Sequence, residues 1–140
     1  MSYLLQFDGG SRGNPGKSCG ACVIFDPSGK VVFEGMEYMG KATNNQAEYT
    51  GLLIGLQNAF LMDIEEIRIE GDSKLVISQI KGLWKVNNED LKKIYEKVMD
   101  LLKYFKKVEM NHIYRDKNKH ADRLSNEGMD KEKSEERFFE

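Results

Sequence analysis

The stretch YLLQFDGGSRGNPGK, residues 3–17, joins a short apolar segment to an aspartate and a cluster of glycines. The apolar residues of Tyr3–Phe7 predict a β-strand that ends at Asp8. Residues 9–17 predict a glycine-rich loop, because glycine adopts the backbone conformations that tight turns require. The first strand is therefore expected to deliver a carboxylate to the start of a loop.

Two further apolar segments extend this strand into a sheet. Cys19–Phe25 and Val31–Tyr38 have the composition of β-strands. Between them, residues 26–29 have the sequence DPSG, with proline and glycine at positions that a type I turn favours. The three segments together predict an antiparallel meander.

The hydrophobic period then changes from that of strands to that of helices. An apolar stripe from Tyr49 to Phe60 predicts an amphipathic helix, and residues 43–46, TNNQ, fit a capping box at its start. A fourth strand at Ile64–Glu70, two helices, a fifth strand and a last helix follow. The order βββαβααβα predicts an α/β fold in which helices pack on a five-stranded mixed sheet.

The length and composition are those of one globular domain. The chain has 140 residues, of which 40% are hydrophobic and 31% charged. We expect the domain to span residues 1–130 and the charged residues 131–140 to fray as a tail. The N-terminus lacks a signal peptide and no segment is apolar enough to span a membrane, so we expect a cytoplasmic protein. A monomer without membrane contact is the default expectation.

Two cysteines, Cys19 and Cys22, have C-x-x-C spacing. A redox pair or half of a zinc site would fit this spacing. No second cysteine pair or histidine partner completes a metal site, so we interpret both as small residues within a strand.

The net charge of −2 conceals two oppositely charged halves. Residues 1–72 carry 5 basic and 10 acidic side chains, a net charge of −5. Residues 73–140 carry 16 basic and 13 acidic side chains, a net charge of +3. The total excludes a simple basic coat protein for nucleic acid, but it does not exclude a nucleic-acid enzyme, because net charge hides distribution.

Four acidic residues fall at the ends of predicted elements. Asp8 closes the first strand, Glu48 lies in the first turn of the first helix, Asp72 follows the fourth strand and Asp122 lies near the start of the last helix. Ligands collect at such strand ends, and carboxylates that converge there repel one another unless a cation neutralises them. Oxygen ligands suit Mg²⁺ or Mn²⁺. Taken singly, each acid also fits a solvated surface group, and Asp72 fits a helix N-cap.

The sequences around these acids resemble ribonuclease H type 1. The motifs, in chain order, are FDGGSRGNPG, TNNQAEYTGLLIGL, IEGDSKLVISQIKG and HIYRDKNKHADRLSNEG. The resemblance runs from about residue 3 to residue 128. It implies the ribonuclease H-like fold, with three antiparallel strands followed by two parallel strands and helices on both faces. It also implies an endonuclease that hydrolyses the RNA strand of an RNA/DNA hybrid and leaves 5′-phosphate and 3′-hydroxyl ends.

By this resemblance, the four carboxylates hold two Mg²⁺ ions, with Mn²⁺ as a substitute, around the scissile phosphate. Asp8 and Asp122 hold the ion that activates the attacking water. Asp8, Glu48 and Asp72 hold the ion that stabilises the leaving 3′ oxygen. The physical basis is the two-metal clamp, which neutralises charge on both the attacking and the leaving oxygen.

Two residues are candidates for an auxiliary catalytic group. His112 lies ten residues before Asp122, the spacing of a mobile histidine in the family, but it also fits a histidine packed within a strand. Arg115, in the following loop, matches an arginine of family members with an H-x-x-R pattern, and we favour it for the flexible role. We interpret His120 as a helix-surface residue.

The resemblance also implies contacts with the hybrid. The polar and small residues expected to bind substrate are Gly10, Ser11, Arg12, Gly13, Asn14, Asn44, Asn45, Gln46, Ser73, Lys74 and Trp84. In the family, the positions of Asn14, Asn44 and Asn45 touch the two strands. The alternative for these residues is loop formation and helix capping.

Residues 74–107 contain nine lysines and four acids, a net charge of +5, where the family binds the DNA strand. Trp84 is expected to form a wall of that groove, and phosphate contacts are expected from Lys74, Lys81, Lys85, Lys92 and Lys93. The chain resembles a short form of the family, without an extra basic helix and without an N-terminal hybrid-binding domain. We therefore expect modest, salt-sensitive affinity for the hybrid.

Three alternatives stay open on the sequence. A related nuclease with the same carboxylates could accept double-stranded RNA. A catalytically silent hybrid-binding module would need at least one lost carboxylate, and all four are present. An unrelated α/β domain would carry the same acids as structural groups and would show no response to Mg²⁺.

Overall fold

In the computed structural model, which describes residues 2–140, the N-terminal apolar segment lies inside a six-stranded mixed sheet. The strands and helices are, in chain order, β1 Tyr3–Arg12, β2 Gly16–Phe25, β3 Val31–Ala42, α1 Asn44–Leu61, β4 Glu66–Gly71, α2 Lys74–Ile80, α3 Glu89–Leu102, β5 Lys107–His112, α4 Lys119–Lys131 and β6 Glu135–Phe138. A single 3₁₀ turn at Arg115–Lys117 precedes α4.

The sheet has the strand order β5-β4-β1-β2-β3-β6. The first three strands pair antiparallel, whereas β4 pairs parallel with both β1 and β5. Alternate residues of β2 separate the two faces: Cys22 and Ile24 pack with α1, α2 and α3, whereas Ala21 and Val23 pack with α4. The predicted α/β fold, with a mixed sheet and helices on both faces, is confirmed.

The predicted strand count of five is wrong by one strand. Within the segment expected to fray, β6 pairs antiparallel with β3, and the ring centroids of Phe33 and Phe138 lie 5.0 Å apart. The N–H of Phe139 also donates to the carbonyl oxygen of Val32 at 3.0 Å. The charged residues of this segment suggested a solvated tail. In the structure one of them, Arg137, pairs instead with Glu34 of β3 at 3.1 Å.

The predicted glycine-rich loop over residues 9–17 is also shorter than expected. β1 continues through the glycines to Arg12, so that residues 13–15 alone form the turn into β2. A Cβ atom added to Gly9 would lie 2.3 Å from the backbone of Ala47 and Glu48. This glycine therefore allows α1 to pass directly over β1, and it is a packing residue of the sheet and not a loop residue.

Two side-chain caps fix where the helices begin. Thr43 Oγ1 accepts from the N–H of Gln46 at 3.1 Å, and the Gln46 side chain accepts from the N–H of Thr43 at 2.8 Å, which confirms the predicted capping box. Ser73 caps α2 by accepting from the N–H of Val76 at 3.2 Å. Both caps place a helix start beside the region of β1 that carries Asp8. Among residues 2–140, no helix has the length and apolar character needed to cross a membrane.

Candidate active site

The register of β1 and β4 brings two of the four acids together. Phe7 of β1 pairs with Gly71 of β4, so that the next residues, Asp8 and Asp72, leave the pair at the same edge. α1 adds Glu48, because it crosses β1 at Gly9. One carboxylate oxygen from each of Asp8, Glu48 and Asp72 lies within 4.8 Å of the others.

Asp122 approaches the same site from the opposite face of the sheet. It lies in the first turn of α4 and lines an open cleft of about 640 Å³ together with the other three acids. It does not belong to the tight group of three oxygens, but it lies close enough to Asp8 to raise the pKa of that carboxyl. The structure thus brings all four predicted carboxylates into one cleft.

Burial and mutual repulsion disfavour the charged forms of these carboxyls. Burial raises the pKa of Asp8 to about 7, and the nearby charge of Asp72 adds to this rise. Burial and the charge of Asp8 raise the pKa of Glu48 well above its ordinary value, and burial also raises the pKa of Asp72. Carboxylates held in this way bind a cation favourably, because the cation removes the repulsion between them.

The residues present fit a divalent metal ion. Glu48 Oε1 is buried and lacks a hydrogen-bond partner among the residues that the structure describes. A buried acceptor without a partner is costly, and a hard cation such as Mg²⁺ would satisfy it together with the adjacent oxygens of Asp8 and Asp72.

The structure reveals a buried polar residue beside the cleft that the sequence did not single out. Asn118 is completely buried, and its Nδ2 donates to the carbonyl oxygen of Phe7 at 2.8 Å and to Asp72 Oδ2 at 3.4 Å. The backbone carbonyl oxygen of Asn118 accepts from the N–H of Asp122 at 3.2 Å. The side chain of Asn118 thus ties the backbone next to Asp8 to the carboxylate of Asp72, and the backbone carbonyl of the same residue binds the first turn of α4. An asparagine before a helix usually suggests a cap, which is why its position gave no sign of this role.

Arg115 and His112 both lie at the cleft. His112 is exposed at the end of β5, with its Nε2 3.3 Å from the carbonyl oxygen of Asp72, so the alternative of a packed strand histidine is wrong. The positive charge of Arg115 partly offsets the effect of burial on the pKa of Asp72. His120 lies elsewhere: its Nε2 is 2.5 Å from Glu34 Oε2 of β3, and its side chain is 22% exposed, so it packs against the sheet more than a surface residue would.

The predicted substrate-binding residues divide into two groups. Those that line the cleft are Gly10, Ser11, Arg12, Asn44, Ser73 and Lys74, and those outside its lining are Gly13, Asn14, Asn45, Gln46 and Trp84. Asn14 Oδ1 accepts from the N–H of Asn44 at 3.0 Å, which ties the β1–β2 turn to the start of α1. Gln46 is engaged in the capping box.

Arg12 is held against α4. Its guanidinium donates to the carboxylate of Asp130 and to Asn126 Oδ1, the latter at 3.2 Å. Gly10 makes room for the same helix, because a Cβ atom there would lie 2.8 Å from the terminal carbon of Met129. Gly10 therefore both lines the cleft and lies under α4.

Comparison with known proteins places the chain in a known family of domains. A family model described as Reverse transcriptase-like matches residues 6–128. Over 131 residues, the chain is 41% identical to a bifunctional protein of Mycobacterium tuberculosis, covering 93% of this chain and 36% of that protein. Over 124 residues, it is 40% identical to ribonuclease HI of Halobacterium salinarum, covering 89% of this chain and 62% of that protein. The chain thus spans about a third to three fifths of the length of these curated relatives.

Solved structures agree with this placement. The N-terminal RNase H domain of the Mycobacterium tuberculosis protein superimposes with a TM-score of 0.91 at 39% identity, covering 94% of this chain and 95% of that one. RNase H1 of Halobacterium salinarum gives a TM-score of 0.89 at 38% identity, with 94% and 99% coverage. LC11-RNase H1, solved in complex with an RNA/DNA hybrid, gives a TM-score of 0.88 at 33% identity, also with 94% and 99% coverage.

The sheet order and the acidic cleft, together with these likenesses, define a domain of the ribonuclease H-like class. Within that class, the chain belongs to the type 1 ribonuclease H family.

The raised pKa of Asp8 predicts how the stability of the metal-free protein depends on pH. Because this pKa is higher in the folded than in the unfolded chain, stability is greatest below the ordinary pKa of aspartate and is lost as the pH rises through about 7. Asp8→Asn should therefore raise the free energy of unfolding at pH 8 in EDTA by on the order of 1 to 3 kcal/mol, and by much less at pH 4. Urea unfolding at both pH values measures this.

The exposed Asp100→Asn is the matched control and should change stability little at either pH. An Asp8→Asn protein no more stable than wild type at pH 8 would contradict the repulsion between the buried carboxylates.

The bonds of Asn118 predict that Asn118→Ala weakens both the fold and the site. The change leaves the carbonyl oxygen of Phe7 without its donor and releases the carboxylate of Asp72. We expect a loss of about 1 to 3 kcal/mol in the free energy of unfolding. Calorimetry should also show weaker binding of Mg²⁺. Asn111→Ala, at an exposed position of β5, should change neither quantity, and equal effects of the two substitutions would contradict the role of Asn118.

Proposed function

We propose that the protein is an endonuclease that hydrolyses the RNA strand of RNA/DNA hybrids and leaves 5′-phosphate and 3′-hydroxyl ends. The observation that carries this proposal is the cleft in which Asp8, Glu48, Asp72 and Asp122 converge from both faces of the sheet. Membership of the type 1 ribonuclease H family supports it, and so does the likeness to LC11-RNase H1, which was solved with a hybrid bound.

In this proposal, the carboxylates hold two Mg²⁺ ions, with Mn²⁺ as a substitute. Asp8 and Asp122 would hold one ion, and Asp8, Glu48 and Asp72 the other. When bound, such ions lower the pKa of the attacking water and neutralise charge on the phosphate and the leaving oxygen. The family uses divalent metal, and the acidic cluster of this chain offers the matching oxygen donors.

The protein's own residues supply the positioning. Asn118 fixes the orientation of Asp72, and the passage of α1 over Gly9 fixes the backbone of Glu48. Arg115 extends from a short 3₁₀ turn at the rim of the cleft, where its guanidinium can pair with a phosphate oxygen. Because that turn is short and Arg115 is exposed, we propose Arg115 for the auxiliary role, with His112 as the weaker candidate.

We propose that selection of the RNA strand comes from contacts with 2′-hydroxyl groups in the minor groove. Asn44 and Ser73 line the cleft beside the carboxylates, and Asn14 holds the N–H of Asn44. The lysines of residues 74–107 and Trp84 would receive the DNA strand. Their charge, net +5, would make binding sensitive to salt.

We further propose that the protein acts as a monomer in the cytoplasm. The two buried cysteines, Cys19 and Cys22, are unpaired, which suits a reducing compartment. Burial raises the pKa of Cys19 to about 11, so its thiol stays protonated.

The activity is tested with a matched set of a hybrid, an RNA duplex and a DNA duplex in Mg²⁺ or Mn²⁺. We expect cleavage of the RNA strand of the hybrid alone. Asp8→Asn should abolish cleavage, because Asp8 is the ligand that both ions share. The Kd of this variant for the hybrid should stay within a few-fold of the wild-type value. Near-normal turnover by Asp8→Asn would refute the site. Cleavage of the RNA duplex as fast as the hybrid would replace the proposed substrate with double-stranded RNA.

The auxiliary group is tested by comparing Arg115→Ala with His112→Ala in single-turnover and steady-state assays. We expect Arg115→Ala to lower kcat by more than about tenfold, as the loss of a group that acts on the reacting phosphate should, and His112→Ala to lower it less. Arg68→Ala, on the surface of β4, is the matched control for loss of an arginine. An unchanged kcat in Arg115→Ala would remove that residue from the mechanism.

A further inference from the structure

A buried chain of hydrogen bonds runs from α1 to the segment after α2. Tyr49, which directly follows Glu48, is completely buried, and its hydroxyl donates to Gln79 Oε1 at 2.6 Å. Gln79, itself 6% exposed, donates through Nε2 to the carbonyl oxygen of Lys85 at 3.0 Å. The amide of Gln79 is thus used from both ends, once as acceptor and once as donor.

These hydrogen bonds reach residues 81–88, a segment without regular structure that connects α2 to α3. Its first part is fixed by α2, because the N–H groups of Leu83 and Trp84 both donate to the carbonyl oxygen of Ser78, at 2.9 and 3.2 Å. Its next residue, Lys85, receives the side-chain bond from Gln79. Gln79 therefore holds the backbone immediately after Trp84.

The surface formed by this segment suits a phosphate–sugar backbone. Trp84 is 47% exposed and lines a surface cavity together with Gln79, Lys85, Lys92 and Tyr95. An exposed indole and two exposed lysines that line the same cavity offer both apolar contact and charge to a nucleic-acid strand. None of these residues lines the carboxylate cleft.

We infer that Tyr49 and Gln79 are positioning residues for hybrid binding, which hold the Trp84–Lys85 segment in the conformation that receives the DNA strand. The inference rests on the proposed function. Neither side chain is exposed enough to bind the strand itself, so both act through the backbone of Lys85. The two bonds also join this surface to the helix that carries Glu48.

The test uses Tyr49→Phe, which removes a single hydroxyl, and Gln79→Met, which keeps the side-chain length and loses both bonds. Trp84 is the only tryptophan of the chain, so its fluorescence reports directly on this segment. The measurements are the quenching of Trp84 by acrylamide, the Kd for the hybrid in EDTA, and KM and kcat in Mg²⁺. Urea unfolding of each variant checks the fold.

We expect Gln79→Met to raise the Kd and KM by about three- to tenfold and to leave kcat within about twofold of wild type. The quenching of Trp84 by acrylamide should increase. Tyr49→Phe should have the same effects at a smaller size. The loss should vanish in a double-mutant cycle with Trp84→Ala, because both changes disable the same surface. If Gln79→Met does not fold, Tyr49→Phe decides the matter by the same measurements.

Unchanged quenching and Kd would overturn the inference, as would a fall in kcat at constant KM or losses that add fully to those of Trp84→Ala. These outcomes are distinct from failure of the proposed activity. If the wild type binds the hybrid without cleaving it, the activity fails and the Kd values still decide the positioning role. If the wild type binds no hybrid, both proposals are wrong.

Discussion

The constraint on which the rest of the structure depends is the close approach of α1 to the centre of the sheet. Where this helix crosses, a Cβ atom on Gly9 would lie 2.3 Å from its backbone, and one on Gly20 would lie 2.6 Å from it. On the helix side of this contact, a Cβ atom added to Gly51 would lie 2.5 Å from the carbonyl oxygen of Asp8. Only glycine fits at such contacts. The close approach of α1 to β1 places the carboxylate of Glu48 beside that of Asp8.

Burying carboxylates this close together costs electrostatic free energy, and a bound cation would offset that cost. Burial raises the pKa values of all three carboxyls, and the nearby charges add to the rise at Asp8 and Glu48. Glu48 Oε1 is left buried without a partner among residues 2–140. The packing of α1 on β1 imposes this arrangement, and a divalent cation bound there would satisfy the unpartnered oxygen. Asn118 completes the frame from the other face by joining β1, Asp72 and α4.

Acidic and basic residues are concentrated in different parts of the molecule. The acidic half of the chain contributes Asp8, Glu48 and Asp72, which account for part of its net charge of −5. Of the nine lysines in residues 74–107, Lys74 lines the carboxylate cleft and the others do not, while Lys85 and Lys92 line a second cavity. The near-neutral total is the sum of a site for cations and a surface suited to phosphates.

Much of the fold and site could be predicted from the sequence, because it depends on local patterns. The capping box at Thr43, the helical stripe of α1 and the four carboxylates at element ends are all visible in the chain. The rest depends on partners distant in sequence. β6 is defined by its pairing with β3, and Gly9 and Gly10 resemble loop residues until helices pack on them. Asn118 resembles a helix cap, and its bonds reach Phe7 and Asp72, both far away in the chain.

The main consequence of the packing of both helix layers is a site for a divalent cation. It is tested most directly by titrating Mg²⁺ into the isotope-labelled, nucleic-acid-free protein and following the NMR signals of the Asp8, Glu48, Asp72 and Asn118 residues. We predict saturable shifts at these residues, reduced strongly in Asp8→Asn. Signals that do not move, or that move equally at exposed acids such as Asp100, would show that the carboxylates are structural and that the site binds no metal.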